Sequence, residues 1–294
     1  MIGLIGLIFA RGFFADSGVQ VALAVGAGVA VVGGVVGVFT VMRGQSFAGH
    51  AIADLGATGG AAAVLIGVGP LWGFLAIGIA AAGTMELIGI QRPRGRDLAT
   101  GIVLGAGLGL AALFLYLDST YHSTSGATVT ILFGSVFAIS PSTIPIVIVL
   151  GLVAVGLVGV TYRPLLLSSI SPEIAAARGL RVRVIGMAFL LALAIAVSLA
   201  AVTIGAILST ALLVGPAAAA LRLTKRPGVA ILTASAIGLG ATWLGIVLAY
   251  DSYDWPPVGH GWPVSFFVVV AVFVSYLLAG LPTRFRRVRR AGLA

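Results

Sequence analysis

Long apolar runs separated by short polar breaks set the pattern of this chain. Residues 19–42, 47–68, 71–90 and 98–117 each carry few charges. At about 1.5 Å per residue, each is long enough to cross a hydrocarbon core of about 30 Å. Gly69-Pro70 supplies the turn between the second and third runs. Residues 128–139 are too short to span and read as a re-entrant or half helix, ended by Ser140-Pro141-Ser142. Residues 144–160 span again and end near Arg163. Residues 184–201 and 203–221 are nearly continuous and predict a tight helical hairpin, and 229–249 and 264–281 complete about nine spans. The expected fold is therefore all-α and polytopic, with about nine transmembrane helices and one short or re-entrant helix. Residues 1–14 are apolar but short and interrupted by Arg11, with no basic start and no Ala-x-Ala cleavage site. They read as an interfacial segment (residues 1–18) rather than a signal peptide. A membrane domain over 19–282 and a basic tail over 283–294 follow.

One polar insert breaks the pattern. Residues 168–183 read SSISPEIAAARGLRVR. Ser171 or Ser169 can cap a helix, Pro172 suits its first position, Glu173 favours its positive end and Gly179 can stop it. This predicts a helix of about two turns over 169–180, on the surface between two spans. It is either a capped connector or a place where a soluble motor pushes on the membrane domain.

Composition changes the picture in one direction only. The chain is 60% hydrophobic and 9% charged, with a mean hydropathy of +1.18, where a soluble domain carries roughly a quarter charged residues. A soluble core could not absorb this much apolar surface. Gly 42 suits close packing of helices in lipid, and Cys 0 excludes disulfides and thiolate metal sites. The net charge of +9 comes from placement. On this threading every Lys and Arg except Arg11 falls on one side: Arg43, the Arg92–Arg96 loop, Arg163, the polar insert, Lys225 and the tail. Cationic side chains stay cytoplasmic during insertion, so this side and the C-terminus are expected in the cytoplasm, in contact with anionic lipid and not with nucleic acid. The loops on the other side, 118–126 and 250–262, carry Asp118, Asp251 and Asp254 with Tyr, Trp and His, and no Lys or Arg. No Gly-x-x-x-x-Gly-Lys-Ser/Thr phosphate loop is present, and Lys225 is the only lysine. The chain is therefore not expected to be an enzyme, and any ATP hydrolysis would come from a separate subunit.

Candidate chemistry rests on the few ionisable groups inside the spans, which are costly in hydrocarbon and usually mark a pathway or a partner. His50 and Asp54 are four apart and share one helix face. An imidazole nitrogen and a carboxylate oxygen can together ligate a divalent cation such as zinc or manganese. The same pair could instead be a structural hydrogen bond or a proton relay. A symmetric dimer could supply a second pair. Glu86, near the cytoplasmic end of its span, is a further metal candidate, or an ion-pair partner of Arg92 or Arg94. Asp97 suits a helix N-terminus. Pro216 lies inside an apolar span as a hinge or a static kink.

Several stretches, in order, resemble one family. Ser46-Phe47-Ala48-Gly49-His50-Ala51-Ile52-Ala53-Asp54 is similar to a Ser-Phe-x-Gly-Asp-Ala-x-x-His motif, with acid and imidazole exchanged at the same spacing. Asp97-Leu98-Ala99-Thr100-Gly101-Ile102 resembles an Asp-x-x-x-Gly-Ile span start. Leu132-Phe133-Gly134-Ser135 resembles Leu-Phe-Gly-Asp with the acid lost. Ser171-Pro172-Glu173 with Ala176 and Arg178-Gly179 resembles a docking helix. Gly205-Ala206-Ile207-Leu208 and Ala211 to Ala218 resemble a Gly-Ala-Leu-Leu…Pro-Ala-Ala run, and Pro257-Val258-Gly259 an outer turn. The family is the metal-ion permeases of ATP-binding-cassette importers, which serve zinc, manganese and iron.

The resemblance implies that two copies enclose a pathway. The helix at Glu173–Gly179 would dock a cytoplasmic ATPase as a coupling helix, and an extracytoplasmic metal-binding protein would meet loops 118–126 and 250–262. A divalent metal ion would be the transported substrate, with no permanently bound cofactor. A permease for a larger ligand such as an iron chelate, and an ATPase-independent secondary transporter, are the alternatives.

Overall fold

Glycine and proline punctuation divides the chain into helices that pack side by side. The computed structural model describes residues 13–88, 96–121, 126–256, 259 and 261–291, and among them there is helix and turn but no strand. The α-helices in chain order are α1 (Ser17–Met42), α2 (Ser46–Leu65), α3 (Pro70–Ile88), α4 (Arg96–Tyr121), α5 (Ala127–Phe133), α6 (Thr143–Val160), α7 (Tyr162–Ile170), α8 (Pro172–Ala177), α9 (Val182–Ile204), α10 (Ala206–Leu223), α11 (Pro227–Asp251) and α12 (Val264–Ala291). Eight of the described helices are long and apolar enough to cross a membrane: α1, α3, α4, α6, α9, α10, α11 and α12. The 20-residue α2 is as long as several of these but carries Ser46, His50, Asp54 and Thr58, and it is the ninth span of the sequence reading.

The bundle is built around α9. In this helix 78% of the spanning window is buried, against 22% in α6, so α9 is central and α6 peripheral. Phe189, Leu190, Leu193 and Leu199 are fully buried, packed with Val36 and Phe39 of α1, Ile52 of α2 and Leu213 of α10 in one core. Small residues let backbones approach where lipid provides no hydrophobic drive between helices. A Cβ at Gly59 of α2 would collide with the Gly73 carbonyl of α3, and one at Gly37 of α1 would collide with the Leu213 carbonyl of α10. Local caps agree with the sequence. The Asp16 carboxylate starts α1 by accepting from the Gly18 and Val19 amides at 2.7 and 3.2 Å.

The expected half helix is α5, seven residues ending at Gly134, followed by a 3-10 turn at Val136–Ala138. The expected hairpin is α9–α10, joined by Gly205 alone. Gly134 (φ 78, ψ 168) and Gly205 (φ 87, ψ 158) both adopt a conformation essentially restricted to glycine, and they lie against each other's backbone.

The two ends of the bundle differ in chemistry. Arg43, Glu86, α7–α8, the start of α9, and Arg222 with its partner Tyr276 gather at one end, the basic end. The α9–α10 turn, α5 and the start of α1 lie at the other.

Five boundaries differ from the sequence reading. The helix α4 continues to Tyr121, so Asp118 is buried in its last turn (1% exposed) rather than placed in an open loop. Asp251 is likewise buried, closing α11. Tyr162–Ile170 forms a separate helix, α7, because Leu165 and Ser168 find buried positions. The helix expected over 169–180 is correspondingly shorter, at Pro172–Ala177. The basic tail begins as helix, since α12 runs to Ala291. The readings made on residues 1–12 including Arg11, on Arg92 and Arg94, on the side chain of Asp97, on His122 and His260, and on Pro257-Val258 lie outside the described residues.

Candidate functional site

The helical spacing of His50 and Asp54 brings their side chains together on α2, with His50 Nε2 3.5 Å from Asp54 Oδ2. The depth of the pair follows from its neighbours. Gly49 lies against Leu193 and Leu213, and Leu193 is midway along α9 (Val182–Ile204). The pair is therefore at the middle of the bundle, away from either surface. Asp54 is buried at 7% exposure, whereas the His50 side chain is 46% exposed. That exposure opens onto a cleft of about 620 Å³, which also touches Leu108, Leu115, Tyr116, Ser119, Thr128 and Leu132. The cleft follows α4 towards Tyr121, so it leads from the pair away from the basic end.

The geometry suits a shared cation. An ion about 2.1 Å from both atoms would see them about 110° apart at the observed 3.5 Å separation, close to a tetrahedral angle. No group of three or more His, Cys, Asp or Glu surrounds a common point among the described residues. One chain thus offers two ligands and not a closed cage. The other ring nitrogen, His50 Nδ1, is 3.3 Å from Thr210 Oγ1 on α10. Thr210 carries no visible signal in the sequence, since nothing in the apolar run Ala206–Leu223 distinguishes it from the adjacent hydroxyl of Ser209.

Glu86 stands apart from the cleft. It lies beside Gly186 at the basic end, where Arg43 and Arg183 attract its carboxylate. Arg43, just past the end of α1, donates to Ser168 Oγ at 3.0 Å and to Gln45 Oε1 at 3.3 Å. Its guanidinium lies 5.4 Å from the centre of the Phe189 ring. Burial holds the Arg43 guanidinium below its ordinary value, and the charge of Glu86 offsets only part of that. The residues Arg43 and Ser168 were also not anticipated as a pair, because 125 positions separate them.

The insert forms a capped turn of helix. Ser171 Oγ accepts from the Ile174 amide at 3.3 Å, Pro172 occupies the first turn with Glu173, Arg178 follows the last residue, and Gly179 turns the chain at φ 78. Ala175 is buried against the domain, while Glu173, Ile174, Ala176 and Arg178 are exposed. Ile170 and Ile174, at 74% and 52% exposure, add an apolar knob to this polar projection. Pro216 is buried in α10, which stays one helix around it, and it packs against Gly238 of α11. At the end opposite α8, a pocket of about 790 Å³ is lined by Phe133, Thr203, Tyr250, Tyr253, Asp254 and Trp262.

Known proteins resemble this chain in sequence and in fold. The manganese transport system membrane protein MntC of Listeria monocytogenes is 31% identical over 273 residues, covering 93% of this chain and 95% of that protein. The manganese import system permease protein ScaB of Streptococcus gordonii is 29% identical over 223 residues, 76% of this chain and 79% of that one. Among solved structures, PsaBC from Streptococcus pneumoniae in complex with Fab superposes with a TM-score of 0.77 at 24% identity, over 95% of both chains. A metal-chelate type ABC transporter in an inward-facing conformation gives 0.68 at 19%, over 96% of this chain and 94% of that one. The family model described as the ABC 3 transport family matches residues 15–279, a span that holds the mid-bundle pair, the glycine hairpin and the capped α8, and the chain accordingly belongs to the ABC 3 transport family.

Proposed function

We propose that this chain is the permease of an ATP-binding-cassette importer that carries a divalent transition metal ion inward, with manganese ahead of zinc and ferrous iron. The observation that carries this reading is the His50–Asp54 pair, held at mid-depth at the foot of a cleft with an N···O separation one cation can bridge. Its mixed nitrogen and oxygen donors accept manganese, zinc or ferrous iron. The names of the relatives, given for manganese transport, favour manganese. Two ligands per chain suit a cargo that must leave again, and a second copy across a two-fold axis would complete the coordination.

The remaining parts take their roles from this reading. The basic end faces the cytoplasm, and α8 rests in a groove of the ATPase through Glu173, Ile174, Ala176 and Arg178. A metal-binding protein docks at the opposite end, over the pocket lined by Tyr250, Tyr253, Asp254 and Trp262. ATP-driven closure of the ATPase pair alternates access to His50 and Asp54. The metal is substrate, and ATP hydrolysis belongs to the partner subunit.

The test is the elemental content of cells lacking this gene, grown metal-poor and complemented with wild type or His50→Ala. One metal should fall in the deletion strain and return with wild type alone. No change in any metal, or full restoration by His50→Ala, overturns the reading.

A further inference from the structure

We infer that Thr210 is a positioning residue for the transported metal, fixing the ring orientation and tautomer of His50 so that Nε2 presents its lone pair to the ion beside Asp54. This rests on the metal-site reading above. A neutral imidazole has one N–H and one lone pair, and which nitrogen can ligate is set by the hydrogen bond at the other. Here Nδ1 is 3.3 Å from Thr210 Oγ1, and Nε2 faces Asp54 Oδ2 at 3.5 Å. When Nδ1–H donates to the threonine hydroxyl, Nε2 is left unprotonated on the side that faces the carboxylate and the cleft. A hydroxyl can donate as well as accept. With no ion present, the same contact serves the other tautomer: Thr210 donates to Nδ1, and Nε2–H points at the Asp54 carboxylate. The imidazole therefore keeps a partner in both states, and no net proton is gained or lost when it changes tautomer.

The placement explains why the hydroxyl comes from another helix. His50 is half-exposed on α2, and the ring needs an anchor across the cleft floor to hold one rotamer. Thr210 is one turn into α10, directly after the Gly205 link. Its neighbour Ser209 is fully buried and donates back to the Ala206 carbonyl at 2.8 Å, so Thr210 alone of the two hydroxyls reaches His50. Because α10 carries this anchor while α2 carries both ligands, any shift between the helices also alters the ligand set.

The experiment measures manganese(II) binding to the full-length permease in lipid nanodiscs for wild type, Thr210→Val, Thr210→Ser and His50→Ala. Nitrogen couplings in the manganese electron-spin-echo spectrum report imidazole ligation. Loss of an outer partner of a metal-bound histidine lowers affinity by about 10–100-fold. Thr210→Val should show that loss with weakened nitrogen coupling, while Thr210→Ser, which keeps the hydroxyl, should bind as wild type does. A Thr210→Val protein that binds normally with full nitrogen coupling overturns the inference and leaves the metal site standing. Wild type and His50→Ala binding alike overturns the metal site and this inference together. Equal loss in Thr210→Val and Thr210→Ser also overturns it, because the effect is then packing and not the hydroxyl. Thermal melting of each variant in the same nanodiscs separates misfolding from loss of the ligand.

Discussion

Arg43 Nη1 donates to Ser168 Oγ at 3.0 Å, joining the turn that precedes α2 to the last turn of α7. His50 is seven residues beyond the arginine on one side, and the capping Ser171 of α8 is three residues beyond the serine on the other. The contact therefore ties the segment leading into the helix that would meet an ATPase to the segment leading into the helix that holds the candidate ligands. A hydrogen bond to a charged group contributes about 1.5–3 kcal/mol, and here the group is a guanidinium packed on Phe189. Ser168→Ala should keep the fold and assembly with the ATPase but lower the metal moved per ATP hydrolysed in proteoliposomes. An unchanged transport-to-hydrolysis ratio would show that force takes another route. Arg43→Ala should do more harm, because it leaves Glu86 without one of its two attracting cations.

The candidate pair His50–Asp54 predicts a different signature. Asp54 is buried, and His50 opens to the cleft, and removing an ionisable group from a span does not oppose its insertion in a membrane. His50→Ala and Asp54→Ala should each abolish metal accumulation at normal membrane abundance, read by uptake in cells alongside immunoblots of the membrane fraction. Normal uptake by both variants would leave the pair a structural hydrogen bond.

Much of this was legible in the sequence because lipid imposes strict rules. Spans need length and apolarity, so the long helices could be placed from composition alone, and the broken segment at Thr128–Ile139 announced itself by being too short. Cap chemistry at Ser171, Pro172 and Gly179 located α8 to within a few residues. The pairing of His50 with Asp54 was local, four residues apart on one helix, and hence readable. The contacts that were missed are all long-range. Thr210 reaches His50 across 160 positions and Arg43 reaches Ser168 across 125, and no periodicity in one span encodes a partner in another. Glu86 illustrates the same limit. Its position near a basic end suggested Arg92 or Arg94 as its partner, and the cations whose charge reaches it among the described residues are Arg43 and Arg183, from distant parts of the chain.

The proposed docking role of α8 yields a prediction about assembly and not about the ion. Glu173 and Ile174 are exposed on α8 while Ala175 anchors it. Glu173→Ala should weaken retention of the ATPase on affinity-tagged permease without changing metal binding by the isolated permease. Ile174→Ser should act in the same direction by removing the apolar knob. Full retention of the ATPase by both variants would move the docking surface elsewhere.

The glycine contact at the other end sets the geometry of the hairpin and of the half helix together. Gly205 links α9 to α10 with φ 87, and Gly134 ends α5 with φ 78. A Cβ on Gly205 would run into the Leu132 carbonyl, and one on Gly134 would approach the Gly205 amide and the Thr203 carbonyl. Each position thus combines a backbone conformation that side chains avoid with a space that they cannot enter. Strain of this kind costs on the order of 1–3 kcal/mol before any collision is counted. Gly205→Ala should lower the thermal midpoint of the detergent-solubilised protein by several degrees, and Gly134→Ala should do likewise. The pair should be less than additive, because once one substitution has forced the two turns apart the second meets an opened contact. Simple additivity would mean that the turns are strained independently. In that case the half helix could move without the hairpin, and the Thr210 anchor one turn further along α10 would be insulated from it.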